Sequence, residues 1–184
     1  VSELLRKGES VSAIADQLRN CYPDLAEYLV PSGEDTGEVC QYFNWYRRAK
    51  IINRPPKEWP NYIDFERLDS RNKHLQKYQD TFSLWIDGLG AEWLPLLVKR
   101  LKQLNVVTEV SATVGRAILP TETEFNRKWK AADEKWDRLD KLSHDGTPDD
   151  DDYYRCIARQ LEIIGQIVMR VSELLIQHDQ IMIT

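Results

Sequence analysis

An aspartate placed between a short apolar run and two glycines is the first feature of this sequence that could do chemistry. Residues 82–86 are mainly apolar, Asp87 follows them directly, and Gly88 and Gly90 come next. We predict a buried strand that ends at Asp87, because ligands of open α/β sheets bind at the carboxyl ends of the strands. A carboxylate there, beside glycines that allow close approach, could hold a metal ion or lie beside a bound phosphate. Asp-Gly is also a common turn pair, so a simple turn is the alternative interpretation.

Two threonines at the predicted start of a later helix are the second such feature. Thr121 and Glu124 fit a capping box, in which the threonine hydroxyl accepts a backbone N–H of the helix. Thr123 would lie in the first turn, where free N–H groups and the helix dipole favour an anion. A hydroxyl in that position becomes a nucleophile if a metal ion lowers its pKa. An ordinary capped helix start is the alternative, and only proximity to Asp87 would favour the nucleophile.

The elements that must position these residues follow a strand–helix alternation that begins at residue 81. This alternation predicts a parallel sheet with crossover helices, and therefore the α/β class. If the first two strands are neighbours joined by a right-handed crossover, Asp87 and Thr123 lie at the same edge of the sheet. The predicted strands cover residues 82–86, 106–114 and 181–184, and the predicted helices cover residues 92–104, 122–142 and 152–178.

Residues 1–80 have a different pattern, which predicts a helical region without strands. Apolar residues recur at helical spacing, and three prolines interrupt the pattern between residues 53 and 60. A polar helix is expected at residues 64–78. The predicted organisation is a helical region at residues 1–80 followed by an α/β domain at residues 81–184.

The composition is typical of a globular protein of the reduced cytoplasm. The 184 residues are 42% hydrophobic and 30% charged, and the three cysteines are an odd number without metal-ligand spacing. No apolar run approaches the roughly 20 residues that span a bilayer, and no signal peptide begins the sequence. We therefore expect a cytoplasmic protein without a membrane partner.

A cluster of aromatic and basic residues at positions 45–54 is the main candidate for contact with nucleic acid. The net charge of −5 argues against broad attraction to nucleic acid but allows a local basic patch. Phosphate contact and base stacking are one interpretation. A helix with a buried aromatic face and a solvated basic face, which would carry Arg47 and Arg48, is the favoured interpretation.

Two segments of the sequence resemble the PglZ domain, a member of the alkaline phosphatase superfamily found in phage-defence systems of the BREX and Pgl type. The first reads WIDGLGAEW at residues 85–93, and the second reads RAILPTETEFN at residues 116–126. The segment YFNWYRRAK at residues 42–50 is similar to the helical part that precedes the domain in such proteins. The resemblance spans about residues 39–184, but only the first two motifs are specific.

The resemblance implies a site chemistry for the parent protein. Asp87 matches the metal-binding aspartate of the superfamily, and Thr123 matches its metal-bound nucleophile better than Thr121 does. The implied enzyme holds two divalent ions, zinc or a similar metal, and hydrolyses a phosphoester or phosphodiester by in-line attack. Its implied partners are other proteins of the defence system, with nucleic acid as an additional candidate.

The sequence departs from the family pattern in one respect that limits the expected activity. The family pattern requires an Asp-His pair after a later strand and a further histidine, and neither motif is present. The chain begins at Val1 and ends in a run that reads as a strand just begun, so we expect a fragment trimmed from a longer protein. We expect such a fragment to be inactive and to bind no metal by itself. The alternative function is a non-catalytic module that binds other defence components.

Overall fold

The computed structural model describes residues 3–4, 7–31, 42–47, 49, 67–117, 132–144 and 150–184. Two helices near the amino terminus are α1 (Val11–Leu18) and α2 (Pro23–Leu29), and residues 42–47 are also helical. The later helices are α3 (Arg71–Lys77), α4 (Leu94–Lys102), α5 (Arg138–His144) and α6 (Asp150–Leu174), with a 3₁₀ turn at Ala91–Trp93 before α4. The strands among the described residues are β1 (Phe82–Ile86), β2 (Glu134–Trp136) and β3 (Ile181–Ile183). None of the described helices has the length and apolar character needed to cross a bilayer.

The three strands form a parallel sheet with β1 in the centre. The strand order is β2-β1-β3, with Leu84 opposite Glu134 on one side and Phe82 opposite Ile181 on the other. This arrangement confirms the α/β class and the predicted strands at the two ends of the domain, at residues 82–86 and at residues 181–183.

Strand β1 is central because both of its faces are apolar enough to be covered. Leu84 and Ile86 are buried and belong to the hydrophobic core. Side chains alternate along a strand, so Trp85 points to the opposite face, where the guanidinium of Arg71 lies 4.4 Å from the centre of its ring. A strand covered on both faces is typical of parallel sheets.

The prediction of the second strand was wrong. Residues 106–114 form no strand, although they are rich in valine and threonine, and the side chain of Val106 is 54% exposed. β-branched residues favour a strand only when one face can be buried, and most of this run is exposed. The strand that pairs with β1 is instead β2, which lies inside the segment predicted as a helix at residues 122–142.

Two sets of polar contacts explain why β2 is a strand although its sequence predicts a helix. The backbone N–H and hydroxyl of Ser83 both donate to the Asp133 carboxylate, at 2.8 and 3.1 Å, which aligns the beginnings of β1 and β2. The guanidinium of Arg170 on α6 contacts both carboxylate oxygens of Glu134, at 2.8 to 3.1 Å. These tertiary contacts override the local sequence preference.

Helices α1 and α2 share one hydrophobic core with the sheet and its helices. The rings of Tyr28 on α2 and Trp93 lie 4.6 Å apart, and each side chain is about 1% exposed. The ammonium of Lys99 on α4 donates to the carboxylate of Glu27 at 2.6 Å beside this contact. The core also contains the apolar stripe of α6, which includes Ile157, Ile164, Ile167, Val171 and Leu174.

The prediction of a solvated basic face at residues 45–54 was wrong for Arg47, whose side chain is completely buried. Its guanidinium donates to the backbone carbonyl oxygen of Glu92 at 2.8 Å and to the side chain of Asn44. The guanidinium carbon also lies 5.9 Å from the centre of the Tyr28 ring. Arg47 therefore attaches the helical segment at residues 42–47 to the entrance of α4. Arg48 lies outside the described residues.

Candidate functional site

The carboxyl ends of the three strands bring Asp87, Asp137 and Thr184 to one edge of the sheet. Each of these residues directly follows its strand. The N–H of Asp87 donates to the carbonyl of Trp136 at 2.7 Å, and the N–H of Ile86 donates to the carbonyl of Thr184 at 2.8 Å. Because β2 and β3 lie on opposite sides of β1, the chain changes direction across β1. Such a switch point is where open α/β sheets bind their ligands.

Gly88 makes the sharp turn that leaves Asp87 at this edge. Its φ is +79°, a conformation that residues with a β-carbon rarely adopt. The carbonyl of Asp87 accepts the N–H of Asp140 at 3.2 Å, so the turn packs directly on α5. A β-carbon at position 88 would lie 2.7 Å from that same backbone nitrogen. The glycine is therefore required both by the backbone conformation and by the contact with α5.

We expect Gly88→Ala to lower the free energy of unfolding by roughly 1–3 kcal/mol, because it adds backbone strain to a steric overlap. Gly8→Ala is the matched control, since Gly8 has a φ of +82° and nothing lies within 4 Å of the position that a β-carbon would take there. Urea unfolding of both variants separates the two causes. Equal losses in the two variants would mean that the contact with α5 contributes nothing.

Asp87 is the carboxylate at this edge whose pKa is raised. Partial burial raises its pKa, the carboxylate of Asp140 raises it further, and Asp137 adds a smaller effect. A hydrogen bond from the N–H of Gly88 and the positive charge of Arg71 act in the opposite direction. Asp137 differs from it, because its exposed carboxylate pairs with Lys141 at 2.7 Å and its pKa is lowered. Like charges around a partly desolvated carboxylate favour the binding of a cation.

We expect Asp87→Asn to raise the melting temperature at neutral pH. A carboxyl group whose pKa is raised by folding stabilises the fold when it is protonated, and it loses that contribution as pH rises above its ordinary value of 3.8. The advantage of the asparagine should therefore be absent near pH 3, grow as pH rises through the mildly acidic range, and remain constant at neutrality. Thermal unfolding across pH in the presence of a chelator measures it.

The control for this measurement is Asp80→Asn, an exposed carboxylate just before β1, at the opposite edge of the sheet. At neutral pH its melting temperature should remain close to that of the wild-type protein, because the substitution changes one exposed side chain. A lower stability of Asp87→Asn at pH 7 would show that the ionised carboxylate is stabilising, contrary to the balance of burial and like charge around it.

Thr121 and Thr123 both lie outside the described residues, so their convergence with Asp87 stays a prediction. Within the part of the chain that the structure describes, no three His, Cys, Asp or Glu side chains form a group that could hold a metal ion. The carboxylate of Asp87 is a hard oxygen donor of the kind that divalent cations use, and the described residues do not add a complete ligand set to it.

The sequence did not indicate the neighbours that perturb Asp87. Asp137 and Asp140 were assigned to the interior of a long helix, because Trp136 and Leu139 continue an apolar spacing that is typical of helices. Arg71 was assigned only to a polar helix. The run of charged residues around Trp136 was the available signal, since a buried helix face is an unusual setting for so many charges.

Arg71 supplies the positive charge at this edge. Burial lowers the pKa of its guanidinium, and the charge of Asp87 partly offsets that effect. An arginine remains protonated at any physiological pH even so. The backbone N–H of Arg71 donates to the backbone carbonyl of Arg116 at 2.9 Å, which fixes the start of α3 against the segment at Arg116.

Comparison with known proteins gives no assignment for this arrangement: no family model matches the chain, and no match is found among curated proteins or among solved structures.

Proposed function

We propose that this chain is the amino-terminal part of a metal-dependent phosphoester or phosphodiester hydrolase, of the PglZ type within the alkaline phosphatase superfamily, that acts in bacterial phage defence. In this proposal the chain has an alkaline-phosphatase-like core, and Asp87 and Thr123 are its first metal ligand and its nucleophile. The intact protein is cytoplasmic and binds other components of the defence system.

One observation carries the proposal: Asp87 lies at the carboxyl end of the central strand of a parallel sheet, at a switch point, with a raised pKa. Carboxylates whose pKa is perturbed by burial and by neighbouring charges are concentrated at functional sites. The sequence motifs at residues 85–93 and 116–126 support the same interpretation independently of the fold.

The described residues have separable roles in this proposal. Asp87 would provide one oxygen ligand, and a bound divalent cation would supply Lewis-acid activation of the phosphoryl group. The left-handed turn at Gly88 keeps the Asp87 carboxylate at the edge of the sheet. Helix α5 supports that turn, because the N–H of Asp140 donates to the carbonyl of Asp87. The remaining ligands are expected outside these 184 residues, which contain no Asp-His pair.

The test is phosphodiester and phosphomonoester hydrolysis by the full-length protein with added Mn²⁺ or Zn²⁺. We expect Asp87→Ala and Thr123→Ala to lower the rate by orders of magnitude, since each removes a group from the reacting centre. Asp80→Ala, at the opposite edge of the sheet, is the matched control and should retain the wild-type rate. Unchanged rates in both site variants would refute the assignment of these residues.

The alternative function is an interaction module without catalysis, and one observation favours it. Met169 is 66% exposed and Ile176 is 81% exposed, so two large apolar side chains face solvent near the end of α6. Exposed apolar surface is common at sites of protein association. The same assay distinguishes the two functions, because the interaction module predicts no metal-dependent hydrolysis by the full-length protein.

A further inference from the structure

Arg71, the first residue of helix α3, lies at the same edge of the sheet as Asp87 although α3 belongs to the amino-terminal part of the chain. Its guanidinium covers the ring of Trp85, with the central carbon 4.4 Å from the ring centre. Trp85 and Asp87 are two residues apart, so the alternation of side chains places both on one face of the sheet. The charges of Arg71 and Asp87 accordingly affect one another.

The backbone at the start of α3 is attached to the second sequence motif. The N–H of Arg71 donates to the carbonyl of Arg116 at 2.9 Å. A β-carbon at Gly115 would lie 3.3 Å from the Cα atom of Arg71, so the two backbones are in close contact. Arg116 is the first residue of the motif at residues 116–126, which contains Thr123. Arg71 therefore contacts both motifs, the first through its side chain and the second through its backbone.

The way in which Arg71 is held suits the binding of an oxyanion. An aromatic ring contacts the flat face of a guanidinium, whereas the five N–H donors lie in the guanidinium plane and match the oxygens of a phosphate. The side chain is half-buried, and charges interact more strongly in such a place than in water. Packing on Trp85 also restricts the side chain before a ligand binds, which lowers the entropy lost on binding.

We propose that Arg71 binds the non-bridging oxygens of the substrate phosphoryl group at the edge of the sheet that carries Asp87. This inference rests on the proposed function for the identity of the ligand, and it assigns part of the site to a helix outside the α/β domain. The carboxylates of Asp137 and Asp140 lie near Asp87 and would repel an anionic substrate. The positive charge of Arg71 offsets that repulsion.

The experiment measures the binding of inorganic phosphate and of Mn²⁺ to the full-length protein by isothermal titration, with hydrolysis of bis(p-nitrophenyl) phosphate in parallel. The variants are Arg71→Met, Arg71→Lys and the matched control Arg138→Met. The guanidinium of Arg138 also covers a tryptophan ring, 5.1 Å from the centre of Trp136. Trp136 pairs with Ile86, so it lies on the other face of the sheet from Trp85.

We expect Arg71→Met to weaken phosphate binding by about tenfold or more, which corresponds to about 1.4 kcal/mol, and to raise the KM of the diester by a similar factor. Binding of Mn²⁺ should not weaken, because the substitution removes a positive charge near Asp87. Arg71→Lys should have an intermediate affinity for phosphate, since an ammonium keeps the charge and lacks the planar donors. Arg138→Met should change phosphate affinity by less than about twofold.

The failure of this inference can be distinguished from the failure of the proposed function. If Asp87→Ala abolishes hydrolysis while Arg71→Met binds phosphate as tightly as the wild-type protein, the hydrolase proposal stands and the role of Arg71 is overturned. If Arg71→Met alone loses phosphate binding and the wild-type protein hydrolyses no ester, the role of Arg71 stands and the hydrolase proposal is refuted.

Three other results would overturn the role of Arg71. The first is a wild-type protein that binds no phosphate in the presence of Mn²⁺. The second is an equal loss of phosphate affinity in Arg71→Met and Arg138→Met. The third is a parallel loss of Mn²⁺ binding in Arg71→Met and Arg71→Lys, which would mean that the side chain only supports the packing of this edge. A lower melting temperature with unchanged phosphate affinity has the same meaning.

Discussion

Replacing Trp93 by alanine should lower the free energy of unfolding by roughly 3–5 kcal/mol, the range observed for large aromatic side chains removed from cores. Trp93 is about 1% exposed and contributes to the contact between the amino-terminal helices and the α/β layer, because its ring packs on Tyr28 at 4.6 Å. Its loss would leave a cavity at that junction and remove an aromatic pair. Urea denaturation followed by circular dichroism measures the effect.

Tyr22→Ala is the matched control for Trp93→Ala, since Tyr22 is an aromatic residue next to α2 that is 59% exposed. Its stability should remain within about 0.5 kcal/mol of the wild-type value. A loss below about 1 kcal/mol in Trp93→Ala would mean that helices α1 and α2 do not depend on this contact. A second unfolding transition confined to the variant would show that the junction, and not the whole core, had been weakened.

The part of the fold that the sequence predicted is the part in which local pattern and burial agree. Strand β1 was predicted with its observed ends, because a run of five mainly apolar residues is bounded by the turn residues Asp87 and Gly88. The last helix was predicted within two residues at its start, because its apolar stripe repeats at helical spacing for about six turns. The predicted end at residue 178 was late, since α6 ends at Leu174 and His178 instead packs on Phe82 at 4.3 Å.

The second strand could not be predicted, because what makes it a strand is distant in sequence. Glu134 is held by Arg170, which is 36 residues away, and Asp133 is held by Ser83, which is 50 residues away. Neither partner can be identified from a local window. The second strand was predicted at residues 106–114 because this run is rich in valine and threonine, and β propensity was the only local signal.

The candidate site was predicted in part for the same reason. Asp87 was identified from its own neighbourhood, which is a strand end followed by a glycine turn. Asp137 and Asp140 lie near Asp87 only because β2 pairs with β1. Since the second strand was predicted at the wrong residues, these two carboxylates were not predicted at the site. Sequence patterns indicate which residue a strand presents at its end, and tertiary pairing decides which residues lie beside it.

We expect Arg47→Glu, which reverses a buried charge, to lower the free energy of unfolding by roughly 3–5 kcal/mol. Arg47 is completely buried and donates to the carbonyl oxygen of Glu92 at 2.8 Å. A carboxylate in its place would bring a second acceptor against that carbonyl in a site with no access to water. The measurement is urea unfolding, compared with Lys102→Glu, which reverses an exposed charge at the end of α4 and should change stability little.

The burial of Arg47 also decides how an interaction surface on residues 42–47 can be tested. If Arg47→Glu abolishes binding to a partner, the loss reports unfolding and not a missing contact, because the side chain is not at the surface. Arg47→Met is the informative companion, since it keeps much of the volume and removes the charge and the hydrogen bonds. It should be less destabilising than Arg47→Glu, because it introduces no buried charge. A variant Arg47→Glu as stable as the wild-type protein would place the guanidinium in solvent and restore the basic surface as a candidate for binding.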